Sequence, residues 1–177
     1  MCIMRYLEYV MCLFLLAELS FISVQIGLMY SSPIAKHDTD MFYAAHALLD
    51  CGRHQIPEKR IMWNLLDVCI DQSNIRKVRA GKMPYIFRDK NTLAWVLKYI
   101  DRKTMFTTPK YDQMSPIEKA YVVIHECTHL ALNSNDHAYY WQTHFKNLTK
   151  EQHANNADSI AMELFRHCGY YVAHNIK

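Results

Sequence analysis

Apolar residues recur at helical spacing in residues 38–49 and 60–70, and residues 91–100 have a similar composition. An α-helix turns about once every 3.6 residues, so each stretch predicts a helix that buries one face. Residues 82–88 and 105–108 are short runs of apolar and β-forming residues, which predict two strands.

Two capping boxes mark the starts of later helices. Ser115 is followed by Pro116 and then by Glu118, and Thr149 is followed three residues later by Gln152. The helix after Ser115 is apolar almost all round over residues 120–132, which predicts that it is buried. The last helix is predicted to end at Gly169. It carries an apolar stripe that we expect to pack against the helix that starts after Ser115. The stripe consists of Ala157, Ile160, Ala161, Leu164 and Phe165.

The helix after Ser115 contains the pattern His125-Glu126-x-x-His129. One helical turn separates the two imidazoles, so both project from one face with the spacing that binds a single Zn²⁺. Glu126 lies about 100° round the helix, where a carboxylate can act on a water molecule beside the metal. Such groups are costly in a buried helix unless they are hydrogen-bonded or metal-bound. The alternative is a pair of core histidines satisfied by neighbouring side chains.

Zinc peptidases use three protein ligands and leave the fourth position to water. A histidine six residues after His129 would supply the third ligand, but that position is Asn135. Asp136, in the polar turn after the helix, is the nearest candidate, and Tyr139 could point its hydroxyl at the same site. The other candidates for the third ligand are His137, Glu151 and Glu163.

Three motifs in order resemble the aspzincin family, the deuterolysin-like and lysine-specific metallo-endopeptidases. They are His125-Glu126-x-x-His129, Asp136-x-x-Tyr139 and Asn156-Ala157-Asp158-Ser159, within about residues 114–167. The resemblance implies that His125, His129 and Asp136 bind Zn²⁺. It also implies that Glu126 is the general base and that Tyr139 donates a hydrogen bond to the developing oxyanion.

The predicted fold is mainly α (α+β, zincin-like). It is a single domain with the active-site helix and a small β-hairpin or edge strand, and 177 residues suffice for one core. In zincins an edge strand pairs with the extended substrate backbone. Either predicted strand could supply that edge.

The chain departs from the family at three points. Asn133-Ser134-Asn135 replaces the Gly-Thr ahead of the ligand aspartate, and the loop is shorter by about two residues. Tyr140 replaces the glycine that commonly follows the tyrosine. In the lysine-specific members acidic residues line the lysine pocket. Asp158 matches the first of these acidic residues, but Ala161 stands at the position of the next one.

Asp158 is therefore a candidate for binding a lysine or another basic side chain of the substrate. Two other roles compete with this one. Asp158 could be a helix-flank carboxylate with a structural hydrogen bond, or it could accept the second ring N–H of a zinc-binding histidine.

Residues 10–30 form an apolar run that only Glu18 and Gln25 interrupt strongly. The run resembles a secretory signal or an N-terminal membrane anchor, and the alternative is an amphipathic helix packed on the domain. The predicted organisation is a signal peptide or anchor over residues 1–32 and a metallopeptidase domain over residues 33–177. The expected location is secreted or periplasmic, with possible membrane attachment through the N-terminal segment.

Four cysteines follow the N-terminal run: Cys51, Cys69, Cys127 and Cys168. In an exported protein an even number predicts two disulfides, with three possible connectivities. Cys127 faces away from the two histidines and could meet Cys168 at the end of the last helix. No Cys-x-x-Cys pair occurs, so a structural zinc site of that type is not expected.

The function predicted from these features is a monomeric zinc-dependent metallo-endopeptidase acting on peptides or proteins. Nucleic acid is not an expected partner, because the net charge of +3 is small and no basic stripe with interleaved aromatics occurs. One alternative is a non-catalytic zinc-binding adaptor or degenerate peptidase, which the altered loop suggests. Another is a zinc amidase that acts on cell-wall peptides. Glu126 favours an enzyme, because a structural site has no use for a base.

Overall fold

The computed structural model of the chain describes residues 2–30, 38–78 and 92–170. This part is mainly helical with one small sheet, as the sequence predicts. The helices are α1 (Cys2–Tyr30), α2 (Thr39–Gln55), α3 (Arg60–Gln72), α4 (Pro109–Asp112), α5 (Pro116–Leu132), α6 (Lys150–Ala154) and α7 (Ala157–His167). The strands are β1 (Asn74–Lys77), β2 (Ala94–Leu97) and β3 (Asp101–Thr107), and short 3₁₀ helices cover Pro57–Lys59 and Thr143–Asn147.

The three strands are ordered β1-β3-β2, with β1 parallel and β2 antiparallel to β3. A turn over residues 98–100 joins β2 to β3, so the predicted hairpin is present. The predicted strand over residues 105–108 is confirmed, but it belongs to the central strand and cannot serve as an edge. The predicted strand over residues 82–88 lies outside the described residues.

The prediction of a helix over residues 91–100 is wrong, because this segment contains β2. Its apolar run is too short for periodicity to distinguish a buried strand from a helix. Pairing with β3 decides the conformation: Trp95 lies opposite Phe106 and Val96 opposite Met105.

Alternation along the strands gives the sheet two buried faces. On one face Ile75 and Met105 join the core formed by α2, α3, α5 and α7. On the other face Trp95 and Phe106 pack against Met29 at the end of α1. The sheet therefore lies between the helical core and the end of the N-terminal helix.

Helix α5 lies at the centre of the core and is buried from Ala120 to Leu130. Its predicted capping box is present: the Ser115 hydroxyl accepts from the Glu118 backbone N–H, and the Glu118 carboxylate accepts from the Ser115 N–H. The helix ends at Asn133, whose φ of 57° is left-handed. Helix α5 packs on α7, and the predicted apolar stripe of α7 is buried.

The prediction that one helix starts at Thr149 and continues to Gly169 is wrong. The capping box opens only the short α6, and α7 starts separately after Asn156. Asn156 forms a bridge to Asn135 and its side chain bonds the loop after α5, which interrupts the helix. Gly169 takes a φ of 76°, consistent with its predicted role as the residue that ends the helix.

One disulfide joins Cys51 of α2 to Cys168, just after α7. The suggested meeting of Cys127 with Cys168 is therefore wrong. Cys69 and Cys127 are free thiols. A hydrogen bond from Cys127 lowers the pKa of Cys69, and burial raises that of Cys127. Cys51 can reach Cys168 because α2 packs on α7. The spacing of the cysteines along the chain does not reveal this packing.

Helix α1 contacts the rest of the chain at its carboxyl end. The Tyr30 hydroxyl donates to Asp101 at 3.0 Å, and Arg76 donates to the Tyr30 carbonyl at 2.8 Å. Earlier apolar side chains such as Phe14 and Leu19 are more than half exposed. Among the described residues, no helix has both the length and the apolar character that crossing a membrane requires.

The close packing of α2 on α7 predicts a cost for enlarging Gly52. An added Cβ would lie 2.4 Å from Leu164 Cδ1 and 3.3 Å from Trp63 Nε1, and both side chains are fully buried. We expect Gly52→Ala to lower the free energy of unfolding by about 1–2 kcal/mol, measured by urea denaturation. The control is Gly27→Ala in α1, where nothing lies within 4 Å. Equal stability of the two variants would contradict the packing described for α2 and α7.

Candidate metal centre

Two imidazoles and one carboxylate converge at the end of α5. His125 Nε2 lies 3.2 Å and His129 Nε2 lies 3.3 Å from the same oxygen, Asp136 Oδ1. The three ligand atoms lie within 4.8 Å of one another. Both histidines are buried, whereas the Asp136 side chain is 39% exposed. The group is therefore held by the core and open on one side.

The second ring nitrogen of His129 is fixed by the loop after α5. His129 Nδ1 lies 3.0 Å from the Ser134 carbonyl oxygen. A carbonyl oxygen only accepts, so Nδ1 carries a proton and Nε2 is the ring nitrogen that faces Asp136. Ser134 is fully buried, and its hydroxyl lies 2.7 Å from that of Thr128. The left-handed turn at Asn133 brings this carbonyl back to the helix.

The second ring nitrogen of His125 faces Asp158. His125 Nδ1 lies 3.5 Å from Asp158 Oδ1, and no hydrogen bond of ordinary length reaches it within the described chain. Asp158 is 1% exposed and accepts hydrogen bonds from the Tyr121 hydroxyl, at 2.5 Å, and from the Tyr140 backbone N–H. A buried carboxylate in this position can orient the imidazole through Nδ1.

Asn156 holds the loop that carries Asp136. Its Oδ1 accepts from the backbone N–H groups of His137, at 2.8 Å, and Ala138, at 3.2 Å. Its Nδ2 donates to the Ala138 carbonyl at 2.9 Å. The side chain is fully buried and is therefore held in place on all sides. These bonds hold the backbone next to Asp136 in place, and this positions the Asp136 carboxylate beside the two histidines.

Lys98 ties the same loop to the end of β2. Its ammonium donates to the Ser134 carbonyl at 3.0 Å and to Asn135 Oδ1 at 3.1 Å. The Ser134 carbonyl is also the acceptor for His129. One backbone oxygen therefore links the strand, the loop and the imidazole.

The charges of the group depend on one another. Burial opposes ionisation of Asp136, but hydrogen bonds from His125 and His129 hold its pKa well below the usual range. Burial alone would lower the pKa of His125, whereas contacts with Asp136 and Asp158 raise it to about 10. A divalent cation bound between the three side chains would supply positive charge that stabilises the ionised Asp136 carboxylate.

The donor set fits Zn²⁺. Two imidazole nitrogens and a carboxylate oxygen are ligands that zinc prefers, and three protein ligands leave one position open. Each histidine has a fixed acceptor near its other ring nitrogen, Ser134 O for His129 and Asp158 for His125. That arrangement is typical of metal-binding histidines.

Glu126 and Tyr139 border the same space. Glu126 is 6% exposed, and burial raises its pKa. The Tyr139 ring stacks on His125 with centroids 5.9 Å apart, and on Trp141 at 4.7 Å. Burial, followed by the charges of Asp136 and Glu126, raises the pKa of the Tyr139 hydroxyl, so it stays protonated and can donate.

A cleft runs along β2 beside this group. One cavity of about 530 Å³ is lined by β2, Lys98 and Tyr99 on one side and by His129, Asp136 and Tyr139 on the other. A second cavity of about 240 Å³ lies next to His125 and Glu126. Within the described residues β2 has one neighbouring strand, β3, and its four residues are among those that line the larger cavity.

Sequence reasoning named the group that the structure brings together: His125, Glu126, His129, Asp136 and Tyr139, with Asp158 behind His125. The other candidates for the third ligand do not join it. Glu163 pairs with Lys59, Glu151 is exposed on α6, and His137 contacts Asn156 through its backbone.

Sequence reasoning missed Lys98, the anchoring role of Asn156 and the position of β2. No local signal marks Lys98, because its partners lie 36 and 37 residues away. The aromatic and β-branched residues of β2 were the one available sign of a strand.

If Asp158 orients His125, its charge supports metal binding. We expect Asp158→Asn to weaken zinc affinity by about 10–100-fold in a competition titration with a chelator. The matched control is Asp40→Asn, because Asp40 is exposed in the first turn of α2. Thermal unfolding without zinc separates lost affinity from lost folding. Unchanged zinc affinity together with an altered preference for lysine would instead support the substrate-binding role of Asp158.

The two bonds of Lys98 predict a smaller effect on the same titration. We expect Lys98→Met to weaken zinc binding roughly threefold to tenfold, the equivalent of about one net hydrogen bond. Lys103→Met is the control, because Lys103 is exposed on β3. Equal zinc affinities for the two variants would show that the loop holds its shape without Lys98.

Comparisons with protein-family models, with curated proteins and with solved structures found no match. The geometry of the group and the order of its motifs are therefore the grounds on which a function can be assigned.

Proposed function

We propose that the protein is a zinc-dependent metallo-endopeptidase of the aspzincin type with a zincin-like fold. The observation that carries the proposal is the convergence of His125, His129 and Asp136 beside Glu126, at a cleft bordered by a strand edge. Export to a secreted or periplasmic location, from an N-terminal signal or anchor, is part of the proposal. The Cys51–Cys168 disulfide supports it, because disulfides persist in oxidising compartments.

His125 Nε2, His129 Nε2 and Asp136 Oδ1 would hold the zinc. When bound, zinc polarises the scissile carbonyl and lowers the pKa of a water molecule toward neutrality. The chain's own contribution is to fix these ligands: Ser134 holds His129, Asp158 faces His125, and Asn156 anchors the loop of Asp136.

Glu126 serves as the general base. It takes a proton as the water molecule attacks the carbonyl carbon, and it returns that proton to the leaving amine. Burial raises the pKa of this carboxyl, which brings it closer to the pH at which it must both accept and release a proton. No other glutamate of the described chain lines either cavity.

Tyr139 serves as the oxyanion donor. Stacking on His125 and Trp141 holds the ring, and the raised pKa of its hydroxyl keeps the proton available. A donor fixed before the reaction stabilises the developing negative charge without reorganisation.

β2 provides the substrate edge in this proposal. A peptide in extended conformation can add to the outer side of β2 and cross the cleft with its backbone near Glu126. This assigns the edge to a segment for which the sequence had predicted a helix. The proposed endopeptidase therefore recognises the peptide backbone through β2 and side chains through the cavities.

The openness of the site argues against a purely structural role for the metal. Structural zinc sites are closed by four protein ligands, whereas Asp136 is 39% exposed and a cavity of about 530 Å³ adjoins it. No fourth His, Cys, Asp or Glu ligand joins the group within the described residues. The same geometry can serve an amidase that acts on cell-wall peptides, and substrate profiling distinguishes the two.

The assigned base can be tested by Glu126→Gln. We expect the variant to bind zinc like the unaltered chain and to lose peptide cleavage by at least about a hundredfold, because general base catalysis contributes about 10²–10⁴-fold. Zinc content is measured by metal analysis, and cleavage by mass spectrometry of a peptide mixture with and without chelator. Glu118→Gln, at the start of α5, is the control for replacing a glutamate on the same helix. Full cleavage by the zinc-loaded Glu126 variant would refute the role of Glu126 as the base.

A further inference from the structure

The turn between β2 and β3 places two large apolar side chains in solvent. Tyr99 is 81% exposed and Ile100 is 64% exposed. A hydrogen bond of 2.7 Å from the Ile100 N–H to the Leu97 carbonyl closes the turn, so Lys98 and Tyr99 are its central residues. Glycine, proline, asparagine and aspartate favour such positions for local reasons, whereas lysine and tyrosine do not. The geometry of the turn therefore does not account for an exposed tyrosine followed by an exposed isoleucine.

The two side chains continue the wall of the larger cavity. Tyr99 and Ile100 line it together with β2, and His129 and Asp136 line it as well. Isolated exposed apolar residues are common on protein surfaces, but these two border the same cleft as the candidate metal ligands. A peptide that follows β2 past Glu126 would reach them at the end of the strand.

The turn is held in place at both of its ends. Lys98 donates to the Ser134 carbonyl at 3.0 Å, and its ammonium lies 5.2 Å from the centroid of the Tyr99 ring. At the start of β3, the Asp101 carboxylate accepts from the Tyr30 hydroxyl at 3.0 Å. A surface that is fixed before binding loses less conformational entropy when a ligand adds to it. The turn is therefore suited to contacting a side chain of the substrate.

Strand geometry gives the distance between this turn and the reacting bond. Ala94, the first residue of β2, lines both cavities together with Glu126, so we place the scissile bond near it. A strand rises about 3.3 Å per residue, so the length of β2 corresponds to about four residues of an extended peptide. The side chain that meets Tyr99 and Ile100 therefore belongs to a residue about three to five positions from the cut.

We propose that Tyr99 and Ile100 form a subsite for a large apolar side chain of the substrate, about three to five residues from the scissile bond. The inference rests on the proposed peptidase function and adds a requirement for length. Contact with an apolar residue removes exposed surface of both partners from water. Extended peptides that reach the turn are therefore the preferred substrates, and peptides too short to reach it are cut more slowly.

The test is digestion of a proteome-derived peptide mixture by the zinc-loaded full chain, with cut sites read by mass spectrometry. We expect large apolar residues to be enriched about threefold to tenfold at one position in this remote range, because partial burial of such a side chain corresponds to roughly this factor. Equal use of apolar and polar residues throughout the range would overturn the inference and leave the peptidase function standing.

Two variants connect the remote preference to the turn. The double variant Tyr99→Ser/Ile100→Ser should lose the enrichment, while the residues that flank the cut stay the same. Ile100→Lys should instead raise the share of acidic residues at the remote position. The controls are Tyr43→Ser/Ile61→Ser and Ile61→Lys, because both residues are exposed on other helices and line neither cavity of the cleft. A remote preference that both turn variants leave unchanged would refute the role of Tyr99 and Ile100.

Binding measured without turnover separates the subsite from catalysis. A peptide identified by the digestion is titrated against the zinc-loaded Glu126→Gln variant, and so is the same peptide shortened to end before the remote position. We expect the shortened peptide to bind about threefold to tenfold more weakly. Shortening should have no effect once Tyr99 and Ile100 are also replaced by serine. Equal affinities of the two peptides for Glu126→Gln would contradict the subsite.

Failure of the proposed function would look different. A zinc-loaded chain that cuts no peptide refutes the peptidase function, and the subsite inference falls with it. Chelator-sensitive cutting without a remote preference refutes the subsite inference alone.

Discussion

The burial of His125, Glu126 and His129 in one helix is the constraint on which the rest of this structure depends. Three groups that can carry charge lie in the central helix of the core, where an unpaired polar group costs about 1–3 kcal/mol and an unpaired charge costs more. The two histidines therefore take partners from other parts of the chain. The loop after α5 and the start of α7 are shaped by this requirement.

The partners of the two histidines come from two segments, the loop after α5 and helix α7. The loop supplies Asp136 to both imidazoles and the Ser134 carbonyl to His129, and α7 supplies Asp158 to His125. Asn156 fixes the loop to the start of α7 through three hydrogen bonds. The break between α6 and α7 also helps to position this loop, because a continuous helix would remove the Asn135–Asn156 bridge.

The sheet forms one wall of the cleft beside this centre. Trp95 and Phe106 pack β2 and β3 against the end of α1, and residues of β2 line the cleft. Lys98 connects the end of β2 to the Ser134 carbonyl, so the strand and the imidazole of His129 share one acceptor. A peptide bound along β2 would lie against the same framework that orients the metal ligands.

The sequence by itself determined the elements that depend on local pattern. Capping at Ser115 and continuous apolar character predicted α5, and the spacing of His125 and His129 predicted their common face, because both follow from helix geometry. Only the tertiary structure decided what depends on distant contacts. It turned a short apolar run into β2 through pairing with β3, joined Cys168 to Cys51, and buried Asp158 behind His125. The physical reason is that periodicity records which face is buried, whereas burial partners are chosen by the packing of elements far apart in the chain.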